Sequence, residues 1–487
     1  MRAAWPIAAL FALAAALRLP TLGSQSLWQD EAYTYALATR PFGDMLRGVV
    51  ETETAPALFY VATWTWYHFL GSGDASLRMV SVLAGLALIP VAYGYGRRLA
   101  GQSCGIVLAG IVAVSPLLVW YSQEARTYAL ATLLAGLGWV AFLRVLDRPR
   151  PDAVLLWALA SGAAVATHYT AAYLVGVQGI WLVVSRPGLW RALVPAGTAL
   201  ALLGTALGVI AATQATPEHT AWISAIPIDA RLEGAVREAL AGPVLPTWHP
   251  TVVLGLVVAT AATLAVWRDD AWRVYLPALL SLAAAGLQLI SRELGGDYFL
   301  GRNLMFGWLP LAGVVAAGVA SLSRRWMVAG GALVVCVPML IVTLQNLTDD
   351  RMQRPDWAAV ARAIGPTPEP RLVISADGYG SRPLRVYLPA HEVGFGATHA
   401  VREVVVVTAD TSAFNRACGG GALCGTPPSS PGHTPGFAEV ERRRVANGRF
   451  VVTRFRARDK VPVEPGALAA TAVQPPEQVT TAYVQVP

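Results

Sequence analysis

Long apolar runs, separated by short connections rich in arginine, fill the first two thirds of the chain. Roughly eleven stretches are long enough to be read as spans of a hydrocarbon layer about 30 Å thick, several of them near the short limit. They lie at about 4–21, 77–96, 104–120, 127–143, 153–168, 170–185, 192–212, 250–267, 273–290, 303–321 and 327–344. The connection from Leu22 to Ser76 is long and aromatic, and its Ala55–Leu70 stretch has the amphipathic pattern of a helix lying in a membrane interface. A second long connection, 213–249, carries His219, Trp222, Trp248 and His249 among prolines.

Beyond Gln345 the periodicity changes. Pro355 and Asp356 open a short helix to about Ile364, and strand-like runs follow at Arg371–Ser375 and Glu403–Thr408. Val440–Val445 and Arg449–Phe455 flank Asn447-Gly448, a two-residue hairpin signal. From about 461 the chain is rich in Pro, Val, Thr and Ala and reads as a disordered tail. The expected architecture is an α-helical polytopic membrane domain over 1–344, a small α/β domain over 345–460 and a tail over 461–487.

Composition agrees. Of 487 residues, 55% are hydrophobic and 14% charged, against about 25% charged in soluble proteins, and the mean hydropathy is +0.49. The net charge of +7 is nearly all arginine, Lys460 being the single lysine. Those arginines sit in alternate connections, so the charge marks membrane topology and not nucleic-acid binding. Arg2, Arg97 and Arg98, Arg144, Arg148 and Arg150, Arg186 and Arg191, Arg268 and Arg273, and Arg324 and Arg325 all fall on one side. The positive-inside rule makes that side cytoplasmic, with the N-terminus inside and, for an odd number of spans, the C-terminal domain outside. A cleaved signal peptide is the rival reading of the first segment, because Ala14-Ala15-Ala16 resembles a cleavage site. Arg18 would follow such a site awkwardly, and loss of the span would invert the charge pattern downstream.

The opposite set of connections holds the chemistry. Asp30 and Glu31 emerge side by side after the first span. Paired carboxylates at a membrane surface are not needed to build a bundle and suggest management of protons or cations, hence a membrane enzyme or transporter. Glu124 and Arg126 are spaced to share one side of a helix start, where an internal ion pair is the plain alternative. Arg302 opens a late span and would be costly to bury without an anion. His168 near a span end reads first as a hydrogen-bonded interfacial residue. Asp30, Glu31 and Glu53 could hold a divalent cation, but scattered carboxylates are no metal signature, so a divalent cation stays open and no metal or other cofactor is assigned. Cys104 and Cys336 lie in apolar spans. Cys418 and Cys424 flank Gly419–Gly421 and would oxidise to a disulfide outside the cytoplasm, zinc being the weaker alternative. No phosphate-cradling glycine loop, zinc-protease helix or nucleophile elbow is present.

The motifs Trp28-Gln29-Asp30-Glu31-Ala32, Glu53…Pro56-Ala57-Leu58-Phe59-Tyr60 and Trp120-Tyr121-Ser122-Gln123-Glu124-Ala125-Arg126 now group with Thr167-His168-Tyr169 and Tyr298-Phe299-Leu300-Gly301-Arg302-Asn303. Together, over roughly 5–344, they resemble bacterial GT-C fold membrane glycosyltransferases of family 39, the relatives of protein O-mannosyltransferases. Ala57 departs from that pattern, where relatives commonly carry a second proline. The resemblance implies a hexosyl- or pentosyltransferase in a bacterial plasma membrane, taking its sugar from a polyprenyl-phosphate donor with inversion. The acceptor would be a lipid, glycan or protein on the extracytoplasmic side. It implies Asp30 as general base with Glu31 beside it, Arg302 and Arg126 on the donor phosphate, and Glu53, Tyr121, Glu124 and His168 as substrate contacts. A transporter or lipid flippase is the competing class, but the charges cluster at one face and the two halves show no similarity.

Overall fold

The structure, a computed structural model, describes residues 4–214, 222–244, 248–266, 271–376, 382–409, 429–446, 449–474 and 479–487. Cys418, Cys424, His219 and the Asn447-Gly448 pair lie outside the described residues, as do the side chains of Trp248 and His249. The chain forms two compact units, one of Met1–Leu22, Ala36–Pro243 and Trp248–Gln345, the other of Gly23–Tyr35, Val244–Thr247 and Asn346–Pro487.

The first unit is helical. From the N-terminus run α1 (Ala4–Arg18), α2 (Gln29–Ala38, which begins in the second unit), α3 (Phe42–Thr52), α4 (Leu58–Phe69), α5 (Asp74–Leu77), α6 (Met79–Ala100), α7 (Gln102–Val114) and α8 (Pro116–Ser122). Then come α9 (Tyr128–Asp147), α10 (Pro151–Thr167), α11 (Ala171–Ser185), α12 (Trp190–Gln214), α13 (Ile228–Ala241), α14 (Trp248–Val266), α15 (Ala271–Ser291), α16 (Trp308–Ala320) and α17 (Arg325–Thr348). All eleven apolar stretches are thus helical. Among the described residues, six helices are long and apolar enough to cross a membrane, and four shorter apolar ones accompany them. The expected interfacial helix is α4.

The third stretch, expected as one continuous span over 104–120, is instead broken: α7 and α8 meet at a bend of 57°. Pro116 explains the break, since it has no N–H to give the Val112 carbonyl four residues back. In a membrane such an orphan needs a partner, and buried Arg18 supplies it. Its Nη2 donates to Val112 O at 3.2 Å, its Nη1 to Ala113 O at 2.9 Å and its Nε to Ser122 Oγ at 3.2 Å. Thr343 Oγ1 donates to Val114 O at 2.7 Å. One cation from α1 and one hydroxyl from α17 therefore replace the ladder that proline removes. Small residues let other helices approach closely: a Cβ at Gly318 of α16 would overlap the Ala261 carbonyl of α14.

The second unit is built on a six-stranded sheet of order β2-β8-β1-β3-β6-β5, with a separate β4-β7 pair. The strands are β1 (Arg371–Ala376), β2 (Ala390–Glu392), β3 (His399–Ala409), β4 (Ser430–Pro431), β5 (Ala438–Val445), β6 (Phe450–Val463), β7 (Val473–Gln474) and β8 (Val479–Gln485). The helices are α18 (Trp357–Ile364), α19 (Arg382–Tyr387) and α20 (Pro465–Ala472). β1 and β3 are parallel neighbours buried on both faces, which accounts for their unbroken apolar runs. Val373, Val405 and Val407 pack with Trp357, Val360 and Ile364 of α18. The alternate residues Leu372, Ile374, Val404 and Val406 pack with Leu468 and Ala472 of α20 on the other side.

All four expected strands and the short helix are present, and β5 and β6 form the expected antiparallel pair. The expected disordered tail over 461–487 is corrected. Its described residues hold α20, β7 and β8, and β8 lies inside the sheet, antiparallel to both β1 and β2. Burial of Ala482 and Tyr483 against the core, together with ladder bonds on both edges, outweighs the proline-rich composition that suggested disorder.

Candidate active site

In the first unit, α3 ends at Thr52 and leaves Glu53 buried. Both its oxygens accept from Arg126 Nη1, at 3.1 and 2.9 Å, and Oε2 also accepts from the Tyr60 hydroxyl at 2.6 Å. Arg126 thus forms an ion pair with Glu53, outside its own 121–126 segment. A buried pair with a third hydrogen bond leaves neither charge stranded. Gln123 ties the same segment to the end of α1, donating to Arg18 O at 2.9 Å and to Thr21 Oγ1 at 2.7 Å.

Arg302 lies in a 3-10 turn, Gly301–Gly307, that leads into α16. Its guanidinium packs over the rings of Tyr128 and Trp222, 5.7 and 5.3 Å from their centroids. Tyr128 in turn meets Tyr121 edge-on at 4.9 Å and His168 in a tilted contact at 5.6 Å, and His168 meets Phe306, also tilted, at 5.2 Å. Glu124, Glu238, Arg302 and Tyr128 all act electrostatically on the buried Tyr121 hydroxyl, which has no hydrogen-bond partner among the described residues. Trp222 is 41% exposed, so this cluster of rings around Arg302 reaches solvent on that side.

Helix α13 packs against the segment that carries Arg302. Arg231 donates to Asp297 at 2.6 Å and to the Phe299 carbonyl at 3.5 Å, and Trp308 Nε1 donates to Ala239 O at 2.9 Å. These contacts press Glu238 against the Gly301 backbone so closely that any side chain at 301 would overlap its carboxyl. Burial pushes the Glu238 carboxyl up to about 7, against the opposing pull of Arg302 and Arg237. His168 shares a 2.9 Å hydrogen bond with Thr170, whose hydroxyl reaches Asn303 O at 3.2 Å.

Asp30 and Glu31 belong to the second unit and open α2. Glu31 is fully buried, and its Oε2 accepts the Trp28 amide at 3.4 Å, the reciprocal half of a capping box. That arrangement holds loop backbone. Asp30, one position earlier, is only half-buried. Among the described residues no group of three His, Cys, Asp or Glu side chains converges to hold a metal.

Residues 53–212 match the family model described as dolichyl-phosphate-mannose-protein mannosyltransferase. No curated protein sequence matches the chain. Among solved structures, it is similar to ArnT from Cupriavidus metallidurans bound to undecaprenyl phosphate, with 14% identity, 92% of this chain and 97% of that chain covered, and a TM-score of 0.57. The same protein in the apo state aligns at 14% identity over 93% of this chain and 98% of that one, with a TM-score of 0.58. The chain has the GT-C fold.

Within the GT-C fold, the matched 53–212 segment contains Glu53, Tyr121, Glu124, Arg126 and His168, whereas Asp30, Glu31 and Arg302 lie outside it. Of the residues expected from sequence, Tyr121, Glu124, His168 and Arg302 come together around the rings, and Glu53 and Arg126 pair beside them. Glu238 was missed. It sits in a helix with five charged residues, Ile228–Ala241, whose pattern reads as a solvated face. Only the fold shows that Gly301 lies against it, although a glycine immediately before an arginine is the one local hint of close approach.

Proposed function

We propose that this GT-C protein is a membrane glycosyltransferase that transfers a sugar from a polyprenyl-phosphate donor to an extracytoplasmic acceptor with inversion at the anomeric carbon. The observation that carries the reading is the cluster of rings around Arg302. There a guanidinium held on aromatic faces, with a carboxyl beside it that is half neutral near pH 7, provides positive charge at the end of an apolar bundle. That chemistry suits a lipid-linked phosphate. The GT-C fold shared with ArnT, which binds undecaprenyl phosphate, supports the same donor class.

The reaction assigns each residue a task within its own unit. Asp30 accepts the proton of the acceptor hydroxyl as that oxygen attacks the anomeric carbon. The bond from that carbon to the donor phosphate breaks, and the leaving polyprenyl phosphate carries off the electron pair as an anion. Arg302 stabilises this anion, and a guanidinium fork suits two phosphate oxygens better than an ammonium does. Glu53 and Arg126, fixed on each other, shape the substrate surface with Tyr121, Glu124 and His168. By the arginine distribution the N-terminus is cytoplasmic and Asp30, Arg302 and the C-terminal unit are extracytoplasmic.

Asp30→Asn tests the reading directly. It preserves shape and removes the base, so release of polyprenyl phosphate from a radiolabelled polyprenyl-phosphate hexose, followed in native membranes that hold the acceptor, should fall by about 10²-fold or more. Expression and binding of the donor should be unchanged. A rate within a few-fold of the unaltered protein would overturn Asp30 as base.

A further inference from the structure

The segment that delivers Asp30 is stitched into the second unit by contacts the reaction itself does not require. Gln25 Oε1 accepts the Arg354 amide at 3.2 Å. Ser26 Oγ donates to Asp356 Oδ1 at 2.6 Å and accepts the Ala358 amide at 3.0 Å, while Asp356 caps α18 by accepting the Ala359 amide at 3.0 Å. The Ser26 hydroxyl therefore sits inside the N-cap of α18, sharing its free amides with the capping aspartate. One residue on, the Leu27 amide donates to the Tyr387 hydroxyl at 2.7 Å. Within α2, Tyr33 lies three residues after Asp30 and so on its side of the helix. The Arg382 guanidinium packs over the Tyr33 ring, 4.3 Å from its centroid. Tyr387 and Arg382 are the two ends of one short helix, α19.

The pattern is selective. A loop that merely needed tethering would be satisfied by the Ser26–Asp356 exchange. Here a second element, α19, grips both the approach to α2 at Leu27 and its first turn at Tyr33, three residues before and three residues after Asp30. Two grips on either side of one carboxylate fix the rotation of the helix start as well as its position. A general base tolerates little error in either, since proton transfer needs hydrogen-bond distance and alignment to the attacking hydroxyl. Glu31 completes the frame from within by holding the Trp28 amide.

From this we infer that Tyr387 and Arg382 are positioning residues for the Asp30 carboxylate, so that the C-terminal unit is a working part of the catalytic apparatus and not an appended domain. The inference deepens the glycosyltransferase reading and rests on Asp30 being its base. The test uses the full-length protein in native membranes, with a radiolabelled polyprenyl-phosphate hexose as probe and kcat and donor KM measured separately. Tyr387→Phe and Arg382→Ala should each lower kcat by about tenfold with donor KM unchanged, and Arg382→Lys, which keeps a cation over the ring, should recover most of the loss. In an Asp30→Asn background the same substitutions should have no further effect on the residual rate, because they act through the carboxylate that is gone. Loss of equal size in both backgrounds, or a parallel rise in donor KM, would show a general structural role and overturn the inference. Unchanged kcat in both variants alongside an inactive Asp30→Asn would overturn it while leaving the glycosyltransferase reading intact. An active Asp30→Asn would instead remove the reading on which it stands.

Discussion

Glu238 and Arg302 make the charge of the proposed donor site a function of pH. With its carboxyl raised to about 7, Glu238 is neutral below that value and leaves the Arg302 charge undiminished; above it the carboxylate offsets that charge. A sugar phosphodiester keeps one negative charge throughout, so any pH dependence of its binding belongs to the protein. Donor affinity should therefore fall as pH rises from 6 to 8, by about tenfold if the added Coulomb penalty is about 1.4 kcal/mol. Glu238→Gln should keep the tighter affinity at pH 8 and flatten the profile. Titrating the purified protein with a polyprenyl-phosphate sugar at several pH values decides it, and an unchanged slope in the glutamine variant would remove Glu238 from the site's electrostatics. The contrast with Arg302 shows which site residues sequence exposes. A charge at the mouth of an apolar span stands out because the lipid penalty is written into its neighbours. A charge on an amphipathic helix does not, because its burial depends on which distant backbone packs against it. Glu31 is a third case. Adjacent to Asp30 in sequence, it looks like a second acid, yet burial and the Trp28 amide give it the work of a cap.

At the scale of elements, apolar length located the helices of the eleven apolar stretches, but not α3, α13 or the break between α7 and α8. Pro116 was visible, and so was Arg18. What periodicity lacks is the pairing: that a cation almost a hundred residues earlier donates to the two carbonyls at the break. Arg18→Met keeps the stem and removes the donors, leaving Val112 O and Ala113 O without them. Each stranded carbonyl costs about 1–3 kcal/mol, so the detergent-solubilised variant should melt several degrees lower and accumulate less. Ser122→Ala, which removes only one of the contacts, should do markedly less. Equal stability of Arg18→Met and the unaltered protein would mean that the break is held some other way. β8 illustrates the opposite failure. Val479–Gln485 is β-branched and aromatic enough for a strand, but short, and surrounded by prolines that dominate the local composition. Its place between β2 and β1 depends on two partners that lie 90 residues or more upstream.

For the whole molecule, the quantity that decides how the parts work is sidedness, and the arginine distribution makes a definite statement about it. Lipid-linked phosphates are bulky amphiphiles, so a donor presented on the outer leaflet is of use only if the residues that act on it face outward. The bundle's Arg97 is exposed at the end of α6 in an arginine-bearing connection, whereas Arg362 is exposed on α18 of the second unit. With all four native cysteines, Cys104, Cys336, Cys418 and Cys424, replaced by serine, single cysteines at these two positions report the two sides. A membrane-impermeant thiol reagent on intact cells, with the outer membrane permeabilised if there is one, should label Arg362→Cys and spare Arg97→Cys until the inner membrane is opened. In the unaltered protein, Cys418 and Cys424 should then meet an oxidising compartment and resist alkylation until reduced. The inverse labelling would place Asp30 and Arg302 in the cytoplasm. There an outward-facing polyprenyl-phosphate sugar could not reach them, and the proposed reaction would have to give way to one whose donor is supplied from inside.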